Sequence, residues 1–211
     1  MEAILNSDSL DILFRTARTF SEWQDRPVSD DLLRQIYNLL RWAPTSANCC
    51  PMRVVFLRTA AAKERLRPAL APLNVVKTMT APVTAIVAYD LRFYEKLAML
   101  LPHNPAIRSY FDGNQRMIET TAQRNSALQG AYLMLAARSL GLDCGPMSGF
   151  NNELVDAEFF SADPGESVSE HPLFPADLVR SNFLCNLGYG KRESLRARSP
   201  RLEFDEACAL I

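Results

Sequence analysis

Apolar residues recur at helical spacing over residues 8–19, where Leu10, Leu13, Phe14 and Ala17 share one face. After Pro27, the run Ser29-Asp30-Asp31 predicts a second helix start. A serine hydroxyl there accepts from a first-turn amide, and the two carboxylates suit the positive pole of the helix. Leu32, Ile36, Leu39 and Leu40 make its apolar stripe, and Pro44 ends it. The runs 53–57 and 83–89 read as strands, with a short helix over 60–70 between them. Residues 91–115, interrupted by Pro102, Pro105 and Gly113, keep no clear period and form either a mobile lid or a rigid lobe. The strongest helix signal covers 119–140. It is apolar nearly all round from 127 to 137, which predicts burial on most faces, and Gly141 stops it in a left-handed conformation. An extended segment over 143–148, a helix near 153–160, a polar surface loop over 161–177 and a strand over 183–187 follow. The tail 191–211 has little periodicity and reads as an arm that wraps over another surface. Helices and strands mix without strict alternation. That pattern predicts an α+β fold, a mostly antiparallel or mixed sheet flanked by helices, in one domain spanning 1–211.

Composition narrows the class of function. The 211 residues are 48% hydrophobic and 22% charged with a net charge of −1, so no general attraction to nucleic acid or to an anionic membrane is expected. Five cysteines without a paired spacing fit a reduced, cytoplasmic protein with incidental thiols. The N-terminus carries no secretory pattern, and the longest apolar stretch, 131–137, is far too short to span a bilayer.

Several dispersed groups can carry chemistry. Asn74 and Lys77 lie about one helical turn apart just before the strand at 83–89. An amide both donates to and accepts from the edge of a pyrimidine-type ring, and a cation beside it favours negative charge on that ring. The plainer reading of this pair alone is a helix end with a solvated lysine. Arg15 and Arg18 near one terminus, with Arg198 and Arg201 near the other, offer forks that match phosphate oxygens; singly, each is an ordinary surface arginine. Thr45, Ser46 and Asn48 place two hydroxyls and an amide in one turn, also explained as a plain helix stop. Pro146-Met147-Ser148-Gly149 ends on a glycine that lets backbone approach a ligand; an ordinary turn reads the same way. Asn125 sits on a buried helix and needs partners, from protein or from a ligand. Gly188 and Gly190 lack the third glycine of a dinucleotide fingerprint. His103 and His171 fall in loops with no nucleophile elbow, so a hydrolase has little support.

Taken in order, these segments resemble the FMN-dependent nitroreductase family over nearly the whole chain. The resemblance is carried by Ala17-Arg18-Thr19, Pro27-Val28-Ser29, Ala43-Pro44-Thr45-Ser46-Ala47-Asn48, Asn74-x-x-Lys77, Leu140-Gly141-Leu142-Asp143, Pro146-Met147-Ser148-Gly149-Phe150 and Asn186-Leu187-Gly188-Tyr189-Gly190. More narrowly, the segment from Trp42 to Cys49, the segment from Thr80 to Ala88 and Arg124-Asn125-Ser126 are similar to a subgroup named as malonic semialdehyde reductases (3-hydroxypropionate dehydrogenases) of pyrimidine degradation. The chain departs from many relatives in two places. Cys50-Pro51-Met52 stands where they have Gln-Pro-Trp, and Ser148 stands where they have a glutamate.

The resemblance implies a nitroreductase-like fold, an intertwined homodimer and two FMN sites at its interface. By analogy Arg18 and Arg201 hold the phosphate, with Arg15 open as the alternative to Arg18. Thr45, Ser46 and Asn48 reach the FMN of the partner subunit, Asn74 and Lys77 meet the pyrimidine edge, and Asn125 is a further contact. Pro146, Met147, Ser148 and Gly149 lie along the ring near its reactive N5, which makes Lys77 and Ser148 the expected catalytic pair. NADH or NADPH passes hydride to N5 and leaves, and the acceptor takes its place. One pocket used twice needs no dinucleotide-binding domain. The expected acceptor is malonic semialdehyde; the alternatives are a broad nitroarene, quinone or enone reductase and a non-catalytic flavin carrier.

Overall fold

The computed structural model describes residues 4–161, 174 and 178–211. The fold is built on a four-stranded antiparallel sheet, β1 (Met52–Leu57), β2 (Val83–Asp90), β3 (Asp143–Met147) and β4 (Val179–Gly188), in the spatial order β1-β2-β4-β3. Seven of the eight residues of β2 are buried, because both of its faces are covered; this is why it reads as a continuous apolar run. β4 pairs with β2 from Val179 onward across a register shift at Val87/Ala88, so it starts earlier than the expected 183–187.

Eight α-helical segments surround the sheet in the described residues: α1 (Ser7–Leu10), α2 (Asp30–Leu40), α3 (Ala60–Leu66), α4 (Pro72–Met79), α5 (Leu97–Leu100), α6 (Gln115–Ser139), α7 (Asn152–Phe160) and α8 (Phe204–Ala207). On one face, Leu33, Ile36 and Leu40 of α2 pack with Leu133, Ala136 and Ala137 of α6 over Ala85, Val87, Cys185 and Leu187. On the other, Leu66, Val155, Phe159 and Phe160 cover Ile86, Ala88 and Leu184. Residues 93–111 build a third cluster around Phe93, Leu97 and Phe111, closed by Cys49, Ile118 and Ala122.

Several expectations are corrected. The first helix is one short α turn followed by a wider π turn over Asp11–Arg15, with none of its residues buried. Leu33, not Leu32, lies in the buried stripe of α2, and Leu39 is exposed; the Leu33, Ile36, Leu40 set keeps the helical period. Ser29 caps α2 as its sequence implied, accepting from the Leu32 amide. The helix over 60–70 breaks at Leu66 and tightens over Arg67–Ala69, where Pro68 cannot donate. α6 starts at Gln115, four residues before the apolar period, because the Asn114 side chain caps it by accepting from the Met117 amide. It is not buried on most faces in the single chain: Leu128 and Tyr132 are 47% and 39% exposed. Gly141 follows α6 at φ +82°, the left-handed stop its sequence called for. The expected surface loop over 161–177 lies almost wholly outside the described residues; within it Phe174 is buried and stacks on Phe160.

Candidate functional site

α4 begins with Pro72 at its first turn and carries Asn74 and Lys77 one turn apart. Asn74 is buried, and its Nδ2 donates to the Gly149 carbonyl at 2.6 Å. The same carbonyl accepts from the Ala71 amide at 3.0 Å, so the entry to α4 is tied to the chain leaving β3. A Cβ on Gly149 would lie 2.5 Å from Asn74 Nδ2, so only glycine allows this approach. Asn74 Oδ1 accepts from no group among the described residues, and nothing there engages the Lys77 ammonium. Of Pro146, Met147, Ser148 and Gly149, it is Gly149 that meets Asn74. Met147 is buried and takes a 3.6 Å contact from Thr78 Oγ1, whereas Ser148 and Gly149 are exposed.

The far end of α4 is held by three separate elements. Trp23 Nε1 and Asn186 Nδ2 donate to the Lys77 carbonyl at 3.0 and 3.1 Å. Lys63, only 7% exposed, donates from Nζ to the carbonyls of Met79 at 2.9 Å and Ala81 at 2.5 Å. Burial lowers the pKa of Lys63 from its ordinary value. Asn186 is itself fixed by Thr84, whose hydroxyl donates to Asn186 Oδ1 at 2.8 Å. Sequence reasoning missed Trp23, Lys63, Thr84 and Asn186. One signal pointed to the last pair, a polar residue within each of two otherwise apolar runs, and the strand register sets the two opposite each other.

The turn after α2 is strained. Ala47, Asn48 and Cys50 all have positive φ, at 51°, 50° and 41°, a region that non-glycine residues rarely occupy. Side chains hold it there. Asn125 Oδ1 accepts from the Ser46 amide at 2.8 Å while its Nδ2 donates to Thr121, so both polar ends of this buried amide are engaged by protein. Thr45 Oγ1 accepts from the Cys50 amide, and Asn48 donates to the Leu100 carbonyl. Arg53 Nη1 donates to the carbonyls of Cys50 and Met52, and its Nη2 pairs with buried Asp90 at 2.6 Å. Burial pushes the Cys49 thiol up to about 12, with Cys50 beside it adding to the effect, so no thiolate chemistry is expected there at neutral pH. Ser46 and Asn48 are exposed at the tip.

The two ends of the chain meet. Arg18 donates to the Arg196 carbonyl at 2.6 Å, and Arg198 donates to the carbonyls of Arg15 and Ala17 at 2.9 and 2.7 Å. Among the described residues Arg201 bonds only to its neighbours Ser199 and Pro200. Arg15 is turned back onto Asp11 and Ser7. Arg18 and Arg198 are therefore the arginines through which the N-terminal segment and the arm engage each other. His103 is exposed, and His171 lies outside the described residues. Among the described residues no cluster of His, Cys, Asp and Glu is arranged for a metal ion, and no helix is long and apolar enough to cross a membrane.

Comparison with known proteins adds the family. Residues 15–170 match the nitroreductase family. A protein of Cupriavidus pinatubonensis, named as an NADH dehydrogenase/NAD(P)H nitroreductase, is 53% identical over 206 residues, which cover 97% of this chain and 98% of that protein. Among solved structures, a nitroreductase of Bacillus subtilis superposes with a TM-score of 0.82 at 20% identity, covering 98% of this chain and 100% of that one. A nitroreductase of Exiguobacterium sibiricum, solved in complex with FMN, superposes at 0.78 with 20% identity and full coverage of both chains. The sheet order and the helices around it are thus those of the nitroreductase fold, and the chain belongs to the nitroreductase family.

Proposed function

We propose that this protein is an FMN-dependent NAD(P)H oxidoreductase whose acceptor is malonic semialdehyde, reduced to 3-hydroxypropionate. One observation carries the flavin reading. Asn74 is anchored to Gly149 through a single N–H, and among the described residues its Oδ1 and the Lys77 ammonium one helical turn away have no partner. An open acceptor and an open cation at this spacing suit the edge of a flat heterocycle. The residues present therefore fit FMN: Asn74 and Lys77 along its pyrimidine edge, Pro146 to Gly149 beside the ring, and Arg18 with an arm arginine at the phosphate. Bound there, FMN supplies a two-electron carrier between NAD(P)H and the acceptor. The chain's own part is to hold charge and exclude alternatives. Lys77 stabilises negative charge on the ring by a fixed positive charge. Ser148, exposed beside the expected hydride position, is neutral. A carboxylate-bearing acceptor meets no like charge from it, so a small aldehyde acid is admitted at this position.

A broad-acceptor flavin reductase is the second reading, favoured by the nitroreductase name of the Cupriavidus relative. The test is anaerobic titration with NADH and with NADPH, followed by turnover of malonic semialdehyde, a nitroarene and a quinone. The proposal expects a yellow protein that bleaches on titration and the highest kcat/KM for malonic semialdehyde. Bleaching with preference for the quinone or nitroarene selects the second reading, and a colourless protein ends both.

A homodimer completes the proposal. β1 is an edge strand, and beside it runs a cavity of about 740 Å³ lined by the apolar Leu33, Met52, Val54 and Phe56, by Arg34 and Lys96, and by the Arg58–Asp30 ion pair. The arm carries exposed Leu202, Phe204, Leu210 and Ile211 interleaved with Glu203, Asp205 and Glu206. The end of the arm from a second copy, residues 202–211, carries acidic and apolar groups that suit the arginines, Lys96 and apolar lining of that groove. In this dimer Thr45, Ser46 and Asn48 face the FMN of the partner subunit.

A further inference from the structure

We propose that Lys63 is a positioning residue for the flavin site: its buried ammonium closes the C-terminal end of α4 and thereby sets where Lys77 stands. The inference rests on the reading of Lys77 as the cation beside FMN. A helix leaves its last carbonyls without partners, and they carry the negative pole of its dipole. At α4 that end is not left to water. Lys63 reaches across from α3 and donates to the Met79 carbonyl, the last of the helix, and to Ala81, two residues before β2. Trp23, from the N-terminal segment, and Asn186, from β4, donate to the carbonyl of Lys77 itself. Lys63 and the Lys77 carbonyl are thus two parts of one clamp that joins α3, the N-terminal segment and β4 to the helix bearing Asn74 and Lys77. A charged group is rarely buried unless its partners require it, and among the described residues the hydrogen-bond partners of Lys63 are backbone carbonyls. That choice puts the cation on a helix terminus rather than in an ion pair. An ordinary surface lysine on α3 would have no reason to be buried.

Lys63→Met keeps an unbranched side chain one atom shorter and removes both hydrogen bonds made by Nζ. Trp23→Phe removes one donor to Lys77 by a different route. Arg65→Ala is the control: Arg65 lies on α3 and ties it to Glu158 of α7, so its loss weakens α3 and leaves both Lys63 hydrogen-bonding groups in place. The readouts are the midpoint potential of bound FMN, amide hydrogen exchange across α4 and the rate of reduction by NADPH. Lys63→Met and Trp23→Phe are expected to move the potential in the same direction as Lys77→Ala, to more negative values, with faster exchange at the end of α4. Flavin reduction should slow roughly 10- to 100-fold, the scale of a misplaced group in a preorganised site. Arg65→Ala should lower thermal stability and leave the potential unchanged. If Lys63→Met and Trp23→Phe behave like Arg65→Ala, stability lost but potential intact, the positioning role is overturned. If Lys77→Ala itself fails to move the potential, the reading of Lys77 falls and this inference falls with it.

Discussion

Gly149 is exposed, yet a Cβ there would lie 2.5 Å from the Asn74 amide nitrogen, so any side chain needs a neighbour to shift. Gly149→Ala must therefore push Asn74 off its carbonyl or displace the turn itself. Strain of this kind costs about 1–3 kcal/mol. If it is relieved by moving Asn74, FMN affinity should fall by roughly 5- to 150-fold, the same energy expressed as binding; flavin fluorescence quenching on titration measures it. A fall in thermal stability without loss of affinity would show that the strain is absorbed by the turn alone. Lys63 makes a prediction of opposite kind, one of pH. Its folded pKa lies below that of the unfolded chain, because burial disfavours the charge. Between the two values the unfolded state binds more protons, so stability contributed by this site rises as pH climbs through that alkaline window. Denaturant melts of wild type and Lys63→Met across that range should show the difference shifting in favour of wild type as pH increases. A difference that is flat, or that shifts the other way, would contradict a buried ammonium at this position.

At the scale of elements, the turn between α2 and β1 shows how sequence and structure divide the work. Pro44 and the polar run after it announce a helix stop, and the apolar, β-branched run at 53–57 announces a strand; both are local signals, and both elements form there. The backbone between them is not local. Three positive φ angles in four residues are held by Asn125, 79 residues away, and by the buried Arg53–Asp90 pair. No spacing rule foresees a hydrogen bond of that reach, which is also why the clamp of Trp23, Lys63 and Asn186 on α4 went unread. The same limit explains the first helix: Leu10, Leu13, Phe14 and Ala17 have helical spacing, but no layer of the single chain buries them, and the turn widens to π. Asn125→Ala tests the long-range hold. It leaves the half-buried hydrogen bond from the Ser46 amide unmade and should cost about 0.5–1.5 kcal/mol. Asn125→Asp, which keeps the acceptor oxygen, should recover part of that loss. Guanidinium melts of the two variants, with FMN saturation removed, measure it; equal losses for both would mean that the acceptor oxygen is not what holds the turn.

For the whole molecule, the decisive quantity is apolar surface that one chain cannot cover. α6 was expected to be buried on most faces, and in the single chain it is not: Leu128 and Tyr132 lie one turn apart on its open side. The arm leaves Leu202, Phe204, Leu210 and Ile211 exposed, and the N-terminal turn leaves Ile12 and Phe14 exposed. Scattered exposed apolar residues need no explanation, but stripes that continue along a helix and an arm do. If a second copy covers them, folding and assembly are linked, and stability depends on protein concentration. The midpoint of thermal unfolding should then rise as concentration increases. Leu128→Glu should flatten that dependence by placing a charge in the covered face, and should release FMN if the site needs both subunits. The predicted order matters: on dilution, FMN release measured by fluorescence should track the appearance of monomer measured by sedimentation. Flavin that stays bound to a monomer would separate the site from the dimer. Thr45, Ser46 and Asn48 would then serve the fold of their own chain rather than the flavin of a partner.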